Sequence, residues 1–323
     1  MKRSLITMLA TVGLVFSAAG DVSAGANKRS VGQSKKPVKS VKAGKSVKVT
    51  ALRPPHGRLV AKAGSPENLG SLAVQSSAFL VQDQTTGAVL LEKNSGSVQP
   101  IASITKLMTA MVTLDAKLGL DEVLTITDED LDTLKGTRSR LRVGTHLTRE
   151  EMLRLALMSS ENRAASALAR NYPGGRHAFI SAMNQKAASI GLHDTRFEDS
   201  TGLTSANVSS PRDLARMVDA AHQYPLIREF STTPSGEFDI AGRLQHFNNT
   251  NSLVKSPSWE IGLSKTGYIS EAGKCLVMQA WMNDKPIIIV LLDSWGKMTR
   301  IGDANRIKRW VESAGLTLAR STS

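Results

Sequence analysis

Two short apolar runs, Ala78-Phe79-Leu80-Val81 and Ala88-Val89-Leu90-Leu91, flank the polar segment Asp83-Gln84-Thr85-Thr86-Gly87. Runs of that length on either side of a glycine-bearing turn predict a β-hairpin. The next run, Leu107-Met108-Thr109-Ala110-Met111-Val112-Thr113-Leu114, is apolar around most of a helical circumference. It predicts a buried helix that begins near Ser103. Helical patterning then dominates. Thr148-Arg149-Glu150-Glu151 matches a capping box and opens a helix through Met158. Ser159-Ser160-Glu161-Asn162 interrupts it, and the pattern resumes from Arg163 to Arg170, as far as Tyr172-Pro173-Gly174-Gly175. His177 to Ile190 predicts a further helix closed by Gly191. Ser210-Pro211-Arg212-Asp213 starts another, with proline at the first helical position. After about Ser235 the pattern becomes that of strands. Trp259 to Ser264 leads into Lys265-Thr266-Gly267, and Cys275–Trp281 and Pro286–Leu292 predict a hairpin across Asn283-Asp284. Ile287 to Leu292 has no polar alternation, so both faces of that strand should be covered, one of them by a last helix from about Arg300 to Ser313. No internal repeat is visible. Strands, then helices, then strands predict a sheet assembled from both chain ends with a helical insertion between them.

The first part of the chain follows different rules. Lys2-Arg3, an apolar stretch from Leu5 to Phe16 and the small residues Val22-Ser23-Ala24 read as a secretory signal peptide over residues 1–24. Its apolar stretch is too short to span a bilayer comfortably. Residues 25–66 are Lys, Ser, Val, Gly and Ala in low-complexity order, as in Lys35-Lys36-Pro37-Val38-Lys39. They have no helix or strand period, which predicts a disordered basic linker. The formal charge of +13 divides as +1 for residues 1–24, +11 for 25–66 and +1 for 67–323. The basicity therefore belongs to the tail, whose charge suits an anionic wall or membrane surface. The domain expected over 67–323 is nearly neutral, which argues against nucleic acid as a partner.

Composition narrows the chemistry further. With 323 residues, 41% of them hydrophobic, the chain can build a substantial core, while 4% aromatic residues argue against a surface built on stacking. The single cysteine, Cys275, excludes an internal disulfide and a cysteine-based zinc site, and its apolar neighbours predict a buried structural thiol. The six histidines show no metal-ligand spacing, so no metal or cofactor is expected.

Ser103 and Lys106 would share a helix face one turn apart. A hydroxyl and an amine at a helix N-terminus are a workable nucleophile and base without histidine. Alone, the pair reads as a capping serine followed by a solvated lysine. Two later segments change that reading: Ser160-Glu161-Asn162, and Lys265-Thr266-Gly267 at the start of the strand-rich part. Ser-x-x-Lys, Ser-x-Asn and Lys-Thr-Gly in this order mark class A β-lactamases and penicillin-binding proteins. With Phe197-Glu198-Asp199-Ser200-Thr201-Gly202-Leu203, Asn249-Thr250-Asn251 and Gly262 to Tyr268, the chain resembles the low-molecular-mass penicillin-binding proteins, the D-alanyl-D-alanine peptidases. Within that family the likeness is to the endopeptidases of penicillin-binding protein 7 type. It runs from about Ser76 to the last helix and leaves out the basic tail.

The resemblance implies an α/β (α+β) fold of β-lactamase/transpeptidase type, with an antiparallel sheet built from both chain ends and an inserted helical subdomain. It implies a periplasmic hydrolase that cuts peptidoglycan cross-links through a Ser103 acyl-enzyme and is acylated by β-lactams. Lys106 must be depressed from about 10.4 to take the serine proton, and burial with a second cation, Lys265, would do this. Ser160 can relay a proton to the leaving nitrogen. Asn162 can hold a substrate amide, and Lys265 and Thr266 can hold the substrate backbone or a carboxylate. Gly267 is expected to let substrate lie against a bare strand. The backbone N–H groups of Ser103 and Tyr268 are implied as the oxyanion hole. Glu161 is read as a solvated middle residue. A β-lactamase needs an acid after the second motif to activate the deacylating water, and Arg163 to Phe197 offers only Asp194. A D,D-carboxypeptidase is the alternative enzyme. The expected lack of a C-terminal anchor in Gly315 to Ser323 favours the endopeptidase. The alternative from another class is a non-catalytic wall-binding protein.

Overall fold

A computed structural model describes residues 72–296 and 298–321. The signal peptide and basic linker expected over 1–66 lie outside those residues. The predicted hairpin forms first, as β1 (Ala78–Asp83) and β2 (Val89–Lys93). A two-residue strand, β3 (Gln99–Pro100), and a 3₁₀ turn at Ala102–Thr105 lead into α1 (Lys106–Asp115). The ribbon of β4 (Val123–Thr125) and β5 (His146–Thr148) precedes α2 (Arg149–Met158), α3 (Asn162–Arg170) and α4 (Gly175–Ser189). Next come β6 (Val208–Ser209), which pairs with β3, then α5 (Pro211–His222) and α6 (Pro225–Thr232). A second ribbon, β7 (Ser235–Asp239) and β8 (Leu244–Asn248), precedes β9 (Glu260–Ile269), β10 (Gly273–Met282) and β11 (Lys285–Ser294). The last element is α7 (Thr299–Ser321).

The main sheet runs β2-β1-β11-β10-β9, with every neighbouring pair antiparallel. β1 lies against β11, Ala78 opposite Leu292, so the two chain ends do meet in one sheet and the helices are inserted between them. Side chains from Ile287 to Leu292 are at most 1% exposed. Ile288, Val290 and Leu292 join the core shared with α1 and α5, while Ile287, Ile289 and Leu291 join the core that includes Ala304 and Ile307 of α7. Each such side chain contributes roughly 1.5–3 kcal/mol on leaving water, and one strand thereby glues both layers. The Asn283-Asp284 turn has φ of +48° and +60°, the left-handed pair that a tight hairpin requires.

Local signals act as their chemistry dictates. The Thr148 hydroxyl accepts from Glu151 N at 3.1 Å, and the Glu151 carboxylate accepts from Thr148 N at 2.8 Å, starting α2. Ser210 caps α5 ahead of Pro211. Cys275 is fully buried, and burial pushes its thiol up to about 11, consistent with an inert packing role. The structure departs from the sequence reading at both ends of the helical pattern. The helix expected from Ser103 begins as a 3₁₀ turn and becomes α-helical only at Lys106. The last helix runs on from the expected Ser313 to Ser321, because the leucines, alanine and arginine after Gly315 are good helix formers. The short helix α6, which the apolar pattern does not predict, opens with Pro225 at its first position. Among the described residues no helix is long and apolar enough to cross a membrane.

Candidate active site

The 3₁₀ turn decides how Ser103 and Lys106 meet. Three residues per turn stack residue i over i+3 more closely than an α-helix does. Lys106 is fully buried, and its Nζ lies 2.9 Å from Ser103 Oγ, 2.7 Å from Asn162 Oδ1 and 2.7 Å from the Thr201 carbonyl. A solvated surface lysine is thereby excluded. Burial lowers its pKa from 10.5 to about 7, with Asp199 and Glu161 pulling in the opposite direction. The neutral amine has two N–H bonds and one lone pair. Asn162 Oδ1 and the Thr201 carbonyl can only accept, so they take the two hydrogens and leave the lone pair to the Ser103 hydroxyl.

Ser160 and Lys265 form a second pair. Ser160 occupies the break between α2 and α3 in the left-handed region, φ +61°. That conformation costs a non-glycine residue roughly 1–3 kcal/mol and must be held by its surroundings. Lys265, on β9, is 1% exposed, and its Nζ donates to Ser160 Oγ at 2.9 Å and to the Thr266 carbonyl at 2.9 Å. Its pKa lies well below the ordinary value, through burial first and then through the cations Lys106 and Arg300. Arg300 Nη1 reaches the Gly267 carbonyl at 3.2 Å from α7. Thr266 Oγ1 donates to Thr250 Oγ1 at 2.7 Å, and Asn251 Nδ2 donates to Ser264 Oγ at 2.8 Å. The Asn249-Thr250-Asn251 segment thus braces the strand that carries Lys265.

Gly267 packs closely against the turn that carries the serine. A Cβ built there would lie 2.9 Å from the Ile101 carbonyl oxygen, 3.1 Å from Ala102 Cβ and 3.1 Å from Ser103 N. The bare face of the glycine is filled by the serine's own turn. The same contact brings β9, just before Tyr268, against the Ser103 amide. On the other side stands Gly202, φ +83°, where a Cβ would fall 2.0 Å from the Ala102 carbonyl oxygen and 2.8 Å from Ser103 N. The Ala102–Ser103 peptide, with Ala102 itself at φ +49°, is therefore held between two glycines.

Glu161 departs from the sequence reading. It is half-buried and accepts from Ser139 Oγ at 2.6 Å. Burial raises its pKa, against the influence of Ser139, Arg140, Lys106 and Arg163. The segment from Asp132 to Leu141, unassigned in the sequence, supplies Ser139 and Arg140. It also places Thr137 Oγ1 3.1 Å from Asn162 Nδ2 and pairs Lys135 with Glu271 at 2.5 Å. Asp194 is exposed. Asp199 and Thr201 lie in the Phe197–Leu203 run that carries part of the family likeness, but the run alone gives them no role. The turn-forming run Asp199-Ser200-Thr201-Gly202 was their available signal.

Residues 62–296 match the peptidase S11 family model, described as D-alanyl-D-alanine carboxypeptidase. A D-alanyl-D-alanine endopeptidase of Pseudomonas aeruginosa is 49% identical over 265 residues, covering 80% of this chain and 85% of that protein. The crystal structure of the Streptomyces K15 DD-transpeptidase superimposes with a TM-score of 0.70 at 29% identity, covering 75% of this chain and 98% of that one. Penicillin-binding protein D2 of Listeria monocytogenes, in its ampicillin-bound form, gives a TM-score of 0.66 at 27% identity, over 75% of this chain and 98% of that one. With Ser103–Lys106, Ser160–Asn162 and Lys265–Gly267 gathered around one buried amine, and with these likenesses, the chain belongs to the peptidase S11 family of D-alanyl-D-alanine carboxypeptidases.

Proposed function

We propose that the protein is a periplasmic serine D,D-endopeptidase that hydrolyses D-alanine-containing cross-links of peptidoglycan. The observation that carries the chemistry is the buried Lys106 amine 2.9 Å from Ser103 Oγ, with Asn162 Oδ1 and the Thr201 carbonyl placed to accept its two hydrogens. Ser103 Oγ attacks the D-alanine carbonyl carbon while Lys106 takes the hydroxyl proton. The backbone N–H groups of Ser103 and Tyr268 receive the developing oxyanion, each such donor being worth roughly 100- to 1,000-fold in rate. The C–N bond then breaks, and Ser160 passes a proton to the leaving amine. Water hydrolyses the serine ester to release the acyl product and regenerate the hydroxyl. Asn162 holds the acyl-side amide, and Lys265 and Thr266 hold the leaving portion. A bound carboxylate would restore the charge on Lys265 by offsetting the burial that depresses it. Side chains and water complete the reaction without metal or cofactor.

The 49% identity to an endopeptidase, over most of that protein, supports cross-link cleavage in preference to removal of a terminal residue. The likeness to a protein crystallised with ampicillin supports acylation of Ser103 by β-lactams. The deciding experiment is mass spectrometry of cross-linked muropeptide dimers incubated with the protein, with Ser103→Ala as the inert control. Monomers are expected. Dimers lacking only a terminal alanine would make it a carboxypeptidase, and unchanged dimers would overturn the hydrolase reading.

A further inference from the structure

We propose that Asp199 is a positioning residue, whose carboxylate folds the Thr201–Thr204 loop so that it holds both Lys106 and the Ser103 amide in place. The inference rests on the roles of Ser103 and Lys106 proposed above. Asp199 touches neither of them. Its Oδ1 accepts from the backbone N–H groups of Thr201 at 3.0 Å and Gly202 at 2.6 Å, and from Asn207 Nδ2 at 2.9 Å. Its Oδ2 accepts from Thr201 Oγ1 at 3.0 Å and from the N–H groups of Leu203 and Thr204, each at 3.2 Å. Successive N–H groups pointing at one oxygen pair form an anion nest, and here the anion is supplied from within the loop.

Two consequences of that curl reach the chemistry. The Thr201 carbonyl is turned toward Lys106 Nζ at 2.7 Å, where it takes one of the two hydrogens of the neutral amine. Gly202 is brought against the Ala102–Ser103 peptide with no room for a side chain. The loop is also tied to the helical turn that bears the serine. Asn207 is fully buried and donates from Nδ2 to the Asp199 carbonyl and to Thr105 Oγ1, both at 3.0 Å, while Thr105 Oγ1 donates to the Ala102 carbonyl at 2.8 Å. One carboxylate thus sits a single bond away from the base's acceptor and from the brace behind the serine. The charges that act on this region are Asp199 and Glu161 on one side and Lys265, Arg300 and Lys106 itself on the other, with Arg140 and Arg163 acting on Glu161. Removing the negative charge of Asp199 leaves Glu161 to oppose burial and shifts Lys106 further toward the neutral form.

The test measures second-order acylation by a fluorescent penicillin from pH 5 to 9 for the full chain, for Asp199→Asn and for Asp199→Glu, with melting temperatures alongside. Asp199→Asn is expected to fold, to acylate about 100-fold more slowly on the plateau, as misplacement of reacting groups by about 1 Å does, and to have its acidic limb moved to lower pH. Asp199→Glu keeps the charge but misfits the nest, so it should be slow with the limb unmoved. Wild-type rates in both variants would overturn the proposal. So would slow acylation with an unmoved limb in Asp199→Asn, or loss of fold in both, since either would make Asp199 structural only. A wild-type chain that forms no adduct at Ser103 would overturn the underlying assignment instead.

Discussion

Gly202→Ala is the sharpest perturbation available. The added Cβ would sit 2.0 Å from the Ala102 carbonyl oxygen and 2.3 Å from its carbon. Nonbonded heavy atoms are at rest near about 3.5 Å, so the loop and the serine's turn must part by roughly 1.5 Å. Both partners are backbone, so no flexible side chain can give way. An L residue at φ +83° costs a further 1–2 kcal/mol, roughly, and an overpacked interior about 1–3 kcal/mol. Together these predict a loss of about 2–5 kcal/mol in stability, a large share of the 5–15 kcal/mol typical of a folded domain. Acylation should fall by at least about 100-fold, because the displaced atoms include the Ser103 amide and the support of Lys106. Gly242→Ala provides the control: its φ is +76°, but nothing lies within 4 Å of the new Cβ. It should carry the conformational cost alone and acylate normally. Urea unfolding gives the stabilities, and fluorescent-penicillin labelling gives the rates. Gly202→Ala acylating within twofold of wild type, or Gly242→Ala slowing equally, would refute the collision argument.

Two other outcomes follow from the same physics. With Lys106 at about 7, wild-type acylation should rise about tenfold per pH unit from pH 5 to 6 and level off above pH 8; a flat profile, or a limb near 10, would place the base elsewhere. Deleting residues 28–62, which removes all eleven lysines and arginines of the basic segment, should weaken sedimentation with cell-wall sacculi at low salt and matter little at high salt. Equal sedimentation of both chains at low salt would show that the segment is only a spacer.

Much of this arrangement is legible in the amino-acid sequence. The hairpins, the two-faced strand Ile287–Leu292 and the inserted helices follow from apolar patterning, which burial enforces directly. The pairing of Ser103 with Lys106 follows from a spacing of three residues. What the sequence hid depends on backbone groups or on distant neighbours. Thr201 acts through its carbonyl, which every residue possesses, so nothing in its side chain advertises the contact with Lys106. The need for glycine at 202 comes from Ala102, about a hundred residues earlier in the chain. Glu161 reads as a solvated residue until Ser139 and Arg140 fold over it. The contact of Gly267 with the turn at Ile101–Ser103 joins residues more than 150 positions apart, so no local pattern could announce it.

The pairing of β1 with β11 also dictates the order in which the molecule can become active. The segment from Ala78 to Asn162 contains the serine, its base and the second motif, but β1 has no inner neighbour until β11 has been synthesised. Lys265 stands on the outermost strand beyond β10, far from Ser160 in the chain, so it joins Ser160 only once β9 has docked. Closing so long a loop is entropically slow. A nascent or truncated chain would therefore carry the nucleophile without the lysine that completes its surroundings. Penicillin labelling during refolding should accordingly report the last tertiary event, the arrival of the C-terminal strands, and not the formation of the helices around Ser103.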